Sequence, residues 1–153
     1  MTNLASEVIH ALQGKTLVTA ESCTGGMIGA ALTAIPGASE VYKGGVISYT
    51  NEVKQNVLGV DELLLHTYGA VSEQTAGAMA SGARKLLKAD YAISVTGLAG
   101  PGGDEFGHEV GTVFIGLECV HRCIVRQYRF SGNREEVRQQ TVQAALRLIL
   151  ENN

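Results

Sequence analysis

Three β-prone runs, KTLVTA (15–20), GVISYT (45–50) and YAISV (91–95), are separated by stretches whose apolar residues recur at helical spacing. That alternation constrains the fold more than any other feature. Strands apolar on both sides need cover on both sides, and connecting helices supply it. The expectation is an α/β fold: a single three-layer α/β/α domain over residues 1–153, with a mostly parallel mixed sheet, helices on both faces, and a C-terminal hairpin plus helix. At 153 residues and 45% hydrophobic content, the chain can bury one core and is too short for two ordinary domains.

The first helical stretch carries Leu4, Val8, Ala11 and Leu12 on one face. A second runs from Gly25 to about Ile35 and ends at Pro36-Gly37. GVISYT reads as an interior strand, followed by a short helix from about Asn51 and another brief helical piece at 61–67. Ser72 is placed to cap a longer helix reaching about Leu87. After YAISV comes a glycine-rich loop, 97–111, then a hairpin of Thr112–Glu118 and Cys123–Phe130. Asn133 with Glu136 fits a capping box opening the last helix.

A formal net charge of −3 argues against general attraction to nucleic acid or anionic membrane. No apolar run approaches the roughly 20 residues of a membrane span. The N-terminus has Glu7 in its apolar part and no basic start, unlike a signal peptide, and three cysteines fit a reducing compartment. The expected location is cytoplasmic.

In open α/β sheets, ligands bind beyond the carboxyl ends of the strands. Those ends carry Ser22, in TAESCTGG, then Tyr49, then Thr96-Gly97. Ser22 reads either as a turn or N-cap serine or as a nucleophile, with backbone N–H groups of Thr24, Gly25 and Gly26 near a helix start to hold an oxyanion. A serine nucleophile needs a base. The histidines, His10, His66, His108 and His121, lie away from the strand ends, except that His108 falls in the glycine loop. Lys54, five residues after Tyr49, is the other option, with Tyr49 bridging the two groups. Its ordinary pKa near 10.4 would have to fall by about three units. The plainer reading makes Lys54 a solvated helix lysine and Tyr49 an edge tyrosine. Cys23 is a rival nucleophile or a small buried side chain. Cys119-Val-His-Arg-Cys123 is a weak metal pattern, lacking a fourth ligand. The loop 96–111 is neither a Walker A loop nor a GxGxxG fingerprint, although such loops can cradle phosphate.

Read together, TAESCTGG, GGVISYTNEVK, GAVSEQTA, ISVTGLAGPGG, VGTVFIG and FSGNREEVRQQTVQAAL resemble, in order, the C-terminal domain of the CinA family, from about residue 4 to 150. The chain leaves no room for the N-terminal domain of full-length CinA proteins. It is similar to stand-alone nicotinamide-nucleotide amidases, which convert nicotinamide mononucleotide (NMN) to nicotinate mononucleotide and ammonia in pyridine nucleotide recycling. The resemblance implies a catalytic set of Ser22, Tyr49 and Lys54. It also implies a nucleotide site along Thr96, Gly97, Gly100, Gly102 and Gly103, a homo-oligomer, and no metal or organic cofactor. The family commonly has Lys-Pro before Val-Gly-Thr-Val, whereas His108-Glu109 stand here. Loss of that cation would weaken anion binding if it touches substrate. The alternative implied is a weak or inactive paralogue serving as a nucleotide-binding or regulatory module.

Overall fold

The structure is a computed structural model describing residues 2–153. In chain order the elements are α1 (Thr2–Ala11), β1 (Leu17–Glu21), α2 (Met27–Thr33), β2 (Tyr42–Ile47), α3 (Asn51–Asn56), α4 (Glu62–Tyr68), α5 (Glu73–Leu87), β3 (Tyr91–Gly97), β4 (Thr112–Cys119), β5 (Arg122–Arg129) and α6 (Arg134–Glu151). They build one five-stranded sheet in the order β2-β1-β3-β4-β5. The β1 strand pairs parallel with β2 and β3, while β3–β4 and β4–β5 are antiparallel. Only β4 runs against the rest, so the α/β expectation of a mostly parallel mixed sheet describes the observed fold.

Each strand serves two cores because its side chains alternate. Leu17, Ile93, Val95 and Ile115 face Val8 of α1 and Leu12 just past its end, Ile28 and Leu32 of α2, and Leu146 and Ile149 of α6. Val18, Ala20 and Ala92 face Met79, Ala80 and Ala83 of α5, with Leu58, Val60 and Leu65 alongside. The α5 helix sits close to the sheet because its contact residues are small. Ser94 Oγ donates to the Ala76 carbonyl at 2.6 Å, and a Cβ on Gly116 would come within 2.9 Å of the same oxygen. Asn133 and Glu136 form the capping box at α6, and Ser72 caps α5 through Thr75 N–H.

Two local expectations are corrected. The buried face of α1 is Ala5, Val8 and Ile9, continued by Leu12 just past its end, with Leu4 half-buried and Ala11 exposed. The stripe starts one residue later than the leucines suggest. The β2 strand is an edge, not interior: it alternates half-buried and exposed, and Ile47 is 56% exposed. It also begins at Tyr42, because Gly44 and Gly45 are accommodated inside the strand. A Cβ on Gly45 would collide with Thr19 Oγ1 of the neighbouring strand.

The β1–β2 connection passes through α2 on one face, and the β2–β3 connection passes through α5 on the other. The carboxyl ends of β2, β1 and β3 therefore open side by side into a crevice with connections leaving on opposite faces, the usual ligand position in such sheets. No helix among the described residues is long and apolar enough to cross a membrane.

Candidate active site

The turn after β1 is organised by a carboxylate. Glu21, the last residue of β1, is 2% exposed. Its oxygens accept from Ile28 N–H (2.9 Å), Gly29 N–H (3.0 Å) and Thr24 Oγ1 (2.6 Å). Ile28 and Gly29 are the second and third residues of α2, whose N–H groups have no partner inside the helix. Glu21 thus occupies the first N–H groups of α2 itself, while the expected oxyanion donors, Thr24 to Gly26, lie ahead of the helix. Gly25 and Gly26 precede the helix, with φ of 57° and 106°, which a side chain would strain. Gly25 N–H donates to the Ser22 carbonyl at 3.1 Å. Of the three expected donors, Thr24 and Gly26 N–H, among the described residues, donate to no backbone carbonyl.

Ser22 and Lys54 meet. Thr50 Oγ1 caps α3 by accepting from Val53 N–H, and the helix throws Lys54 back over the strand ends. Lys54 is 1% exposed, and its Nζ lies 2.8 Å from Ser22 Oγ. It also donates to the carbonyls of Ser48 (2.7 Å) and Tyr49 (3.3 Å). A neutral amine has two N–H groups and one lone pair. The two carbonyls can take the N–H groups only, so the lone pair is left for the serine hydroxyl. Ser48 is itself anchored, its N–H donating to the Glu21 carbonyl at 2.7 Å. Burial lowers the Lys54 pKa to about 8, the nearby Cys23 opposing this slightly. At pH 7 about one such lysine in ten is uncharged, against fewer than one in a thousand for a solvated one.

Burial instead pushes the Cys23 thiol up to about 11. A thiol held protonated is a poor nucleophile. Cys119 and Cys123 do not converge: Cys123 faces Glu118 across the hairpin and Cys119 faces Arg122, so they point to opposite sides of the sheet. Among the described residues no group of three or more His, Cys, Asp or Glu could hold a metal ion.

Tyr49 lies two residues beyond β2 and is 57% exposed. Its hydroxyl accepts from Arg134 Nη2 at 3.0 Å, and only its carbonyl reaches Lys54. The structure does not put the phenol between Ser22 and Lys54 as the sequence reading pictured. Arg134 also donates to the Gly100 carbonyl at 2.8 Å, tying the glycine loop to α6. One turn along α6, Arg138 donates through Nε to the Cys23 carbonyl (3.0 Å) and through Nη2 to the Thr24 carbonyl (3.3 Å). Sequence reading missed both arginines. Their signal was a pair of arginines four residues apart, the first directly after the N-cap Asn133, on one helix face.

Ser22, Cys23, Tyr49, Lys54, Thr96, Gly97 and Arg134 line a cavity of about 230 Å³, with Ala70, Val71 and Ala99 completing the wall. Thr96 Oγ1 is engaged with the Ala70 carbonyl. Gly100 touches the site through its carbonyl, while Gly102 and Gly103 are exposed and outside the lining. His108 and Glu109 are also outside it: His108 pairs with Asp104 at 2.7 Å, and the exposed Glu109 pairs with Arg129. A larger groove of about 1030 Å³ lies between α3, α4 and the loop tip. It holds Asp61, Glu62 and Glu105, which would repel an anionic nucleotide, and no nucleophile–base pair.

A buried serine–lysine pair at the carboxyl ends of a three-layer α/β sheet defines the class of site. The chain belongs to the CinA C-terminal domain family, whose pattern matches residues 1–152. It is 50% identical over 134 residues to a CinA-like protein of Prochlorococcus marinus, covering 86% of this chain and 31% of that protein. A CinA-like protein of Mycobacterium avium is 44% identical over 147 residues, covering 93% and 34%. The chain thus spans about a third of the length of these curated relatives. The structure of competence damage-inducible protein A from Klebsiella pneumoniae superposes with a TM-score of 0.97 at 39% identity, over 99% of this chain and 95% of that one. A CinA superfamily protein from Escherichia coli gives 0.96 at 36% identity, over 98% and 88%.

Proposed function

We propose that the chain is a serine amidohydrolase that hydrolyses the carboxamide of NMN, giving nicotinate mononucleotide and ammonia. The observation that carries this reading is the 2.8 Å contact between Ser22 Oγ and the buried amine of Lys54. Ser22 attacks the amide carbon while its proton passes to Lys54. The carbonyl oxygen becomes an oxyanion, to be stabilised by backbone N–H groups of the turn that carries Ser22. Collapse breaks the C–N bond, and Lys54 returns the proton to the departing nitrogen, releasing ammonia. Water then attacks the acyl-serine, giving its proton to Lys54. The ester C–O bond breaks, and Ser22 recovers its proton. The lysine carries one proton in and out per half-reaction, so no further acid or base is needed.

The cavity suits the pyridine carboxamide better than a whole nucleotide. Ribose and phosphate would extend toward Arg134 and the Thr96–Gly100 stretch, away from the acidic groove. As a proposal, Tyr49 acts by holding Arg134 at the mouth and by giving its carbonyl to Lys54.

The test is ammonia release from NMN by the purified protein beside Ser22→Ala, Lys54→Ala and Cys23→Ala. Turnover abolished in the first two and retained in the third supports the reading. Loss in Cys23→Ala alone would mean a thiol hydrolase. Nucleotide binding without turnover by the wild type would make the chain a binding module.

A further inference from the structure

We infer that Thr96 determines the preference of the site for an amide: its hydroxyl stands beside Ser22 as a pure acceptor and holds an N–H of the substrate carboxamide. This rests on the serine amidase reading above. The β1–β3 register pairs Ala20 with Ser94 and Glu21 with Val95. Ser22 N–H carries the ladder one step further by donating to the Val95 carbonyl at 3.1 Å, which sets Ser22 beside Thr96. Side chains at such neighbouring positions leave the same face of the sheet, roughly 5 Å apart. Ala20 and Ala92 face α5, so by alternation Ser22 and Thr96 do too. Lys54 reaches Ser22 from the β2 side, and Thr96 flanks it on the β3 side. Lys54 and Thr96 are each 1% exposed, and both line the cavity of about 230 Å³ that Ser22 borders.

A threonine hydroxyl has one hydrogen to give and two lone pairs. Here the hydrogen is committed: Thr96 Oγ1 donates to the Ala70 carbonyl at 2.7 Å, and a carbonyl can only accept. The segment bearing that carbonyl is itself fixed. The preceding carbonyl, of Gly69, accepts from Ser72 Oγ (3.1 Å) and Thr75 Oγ1 (2.7 Å) at the start of α5. Toward the cavity Thr96 therefore offers lone pairs only. The Tyr49 hydroxyl in the same wall is arranged the other way: it accepts from Arg134 Nη2 and keeps its hydrogen to give. A carboxamide nitrogen carries two hydrogens, whereas a carboxylate or an ester oxygen carries none. With the amide carbon bound to Ser22 Oγ, its nitrogen lies one bond further on. A hydrogen bond of about 2.9 Å then closes the remaining distance to Thr96 Oγ1. The same lone pairs repel the carboxylate of the product. Nor can this hydroxyl donate to a phosphate, which is left to Arg134 and the backbone beyond Thr96.

The test compares two leaving groups on one acyl group. NMN and the methyl ester of nicotinate mononucleotide give the same acyl-serine, one releasing ammonia and the other methanol, so kcat/KM compares the two acylations. Thr96→Val keeps the shape and removes the acceptor, while Thr96→Ser keeps the hydroxyl. In Thr96→Val the amide-to-ester ratio of kcat/KM should fall about 10- to 100-fold, because an amide N–H is left without a partner in a buried site. Thr96→Ala, which adds no bulk, carries the same expectation if the valine variant does not fold. In Thr96→Ser the ratio should stay within about threefold of wild type. Affinity for the product, nicotinate mononucleotide, should hold or rise in Thr96→Val. A mere shift of the wall, from loss of the Ala70 bond, would lower amide and ester together. Thermal midpoints are recorded for each variant.

An unchanged ratio in folded Thr96→Val or Thr96→Ala, whether both rates stay or both fall, would overturn the role of Thr96 and leave the amidase reading standing. So would a Thr96→Ser ratio as low as that of Thr96→Val, because the hydroxyl would then not be what counts. If the wild type cleaves the ester but releases no ammonia from NMN, or cleaves neither, the amidase reading fails and the role of Thr96 fails with it.

Discussion

The turn after β1 and the glycine-rich loop after β3 both lie at strand ends, yet they are built in opposite ways. In the turn, the polar side chains are buried and tied: Glu21 to three donors, Ser22 to Lys54, and Thr24 to Glu21. In the loop, residues 101–103, 105–107 and 109 are exposed, and the ties are peripheral. Asp104 accepts from the N–H groups of Phe106 and His108 and pairs with the His108 ring, Glu109 pairs with Arg129, and Arg134 holds the Gly100 carbonyl. The difference assigns labour. A buried network can hold a pKa far from its ordinary value, whereas an exposed loop can adapt to a ligand but not perturb a proton.

If that division is right, the largest effects come from the turn. Ser22→Ala and Lys54→Met should each lower NMN turnover by about 10³-fold or more, measured as ammonia release, because nucleophile and base act as one unit. The double variant should be no worse than either single one, and additive losses would break the pairing.

The second prediction concerns pH. With the Lys54 pKa near 8 through burial, kcat should rise with pH to a plateau above about 8. Stability moves the same way, with the sign set by proton counts. Between about 8 and the unfolded value near 10.4, the unfolded chain holds a proton that the folded one has lost. Unfolding free energy therefore rises with pH across that window, by about 3 kcal/mol for this group in all. Below pH 8 the folded state bears the full cost of a buried ammonium. Lys54→Met should flatten that rise in denaturant titrations between pH 7 and 10.5, with the two curves converging at neither end if the lost carbonyl bonds matter. An equally steep rise in both proteins would place the titration elsewhere.

Third, Glu21→Gln should cost about 1–3 kcal/mol in chemical denaturation, since an amide cannot accept from all three donors and in either orientation its NH₂ faces an N–H group, that of Gly29 or of Ile28. Turnover should fall with it, because the Glu21 carboxylate ties Thr24, two residues from Ser22 in the same turn. A stable, fully active Glu21→Gln would show that the turn holds its shape without the carboxylate.

How much of this was readable beforehand follows from what is local. A strand, a turn and a helix put Ser22 at a carboxyl end, and a five-residue offset from Tyr49 put Lys54 on the returning helix. Both depend on short-range pattern. The capping box at Asn133 and the N-cap at Ser72 are likewise local. The edge position of β2 was not readable, because Val46 and Ile47 look the same in an edge strand as in a central one. Glu21 as the internal cap of α2 was missed because the capping residue sits in the preceding strand, where burial of a carboxylate is not expected. Arg134 and Arg138 reach the site from more than 80 residues away in sequence, and only the folded sheet brings α6 over the turn. The direction of the Tyr49 hydroxyl is a rotamer set by Arg134, which composition does not record.

The smallest effect belongs to the loop, and it bears on the one departure from the family pattern. His108 and Glu109 replace the common Lys-Pro, which on sequence grounds could have weakened a phosphate site. In the fold neither residue lines the serine cavity, and both are satisfied by neighbours, Asp104 and Arg129. Exposed pairs of this kind are worth about 0–1 kcal/mol. His108→Lys with Glu109→Pro should therefore leave kcat within about twofold and lower stability by no more than about 1 kcal/mol. The informative quantity is KM. A fall below about twofold leaves the anion site with Arg134 and the Thr96–Gly100 stretch. A fall of tenfold, about 1.4 kcal/mol, would mean that the loop folds down on the phosphate when substrate arrives. The contrast between a rigid turn and an uninvolved loop would then give way to a turn that reacts and a loop that closes.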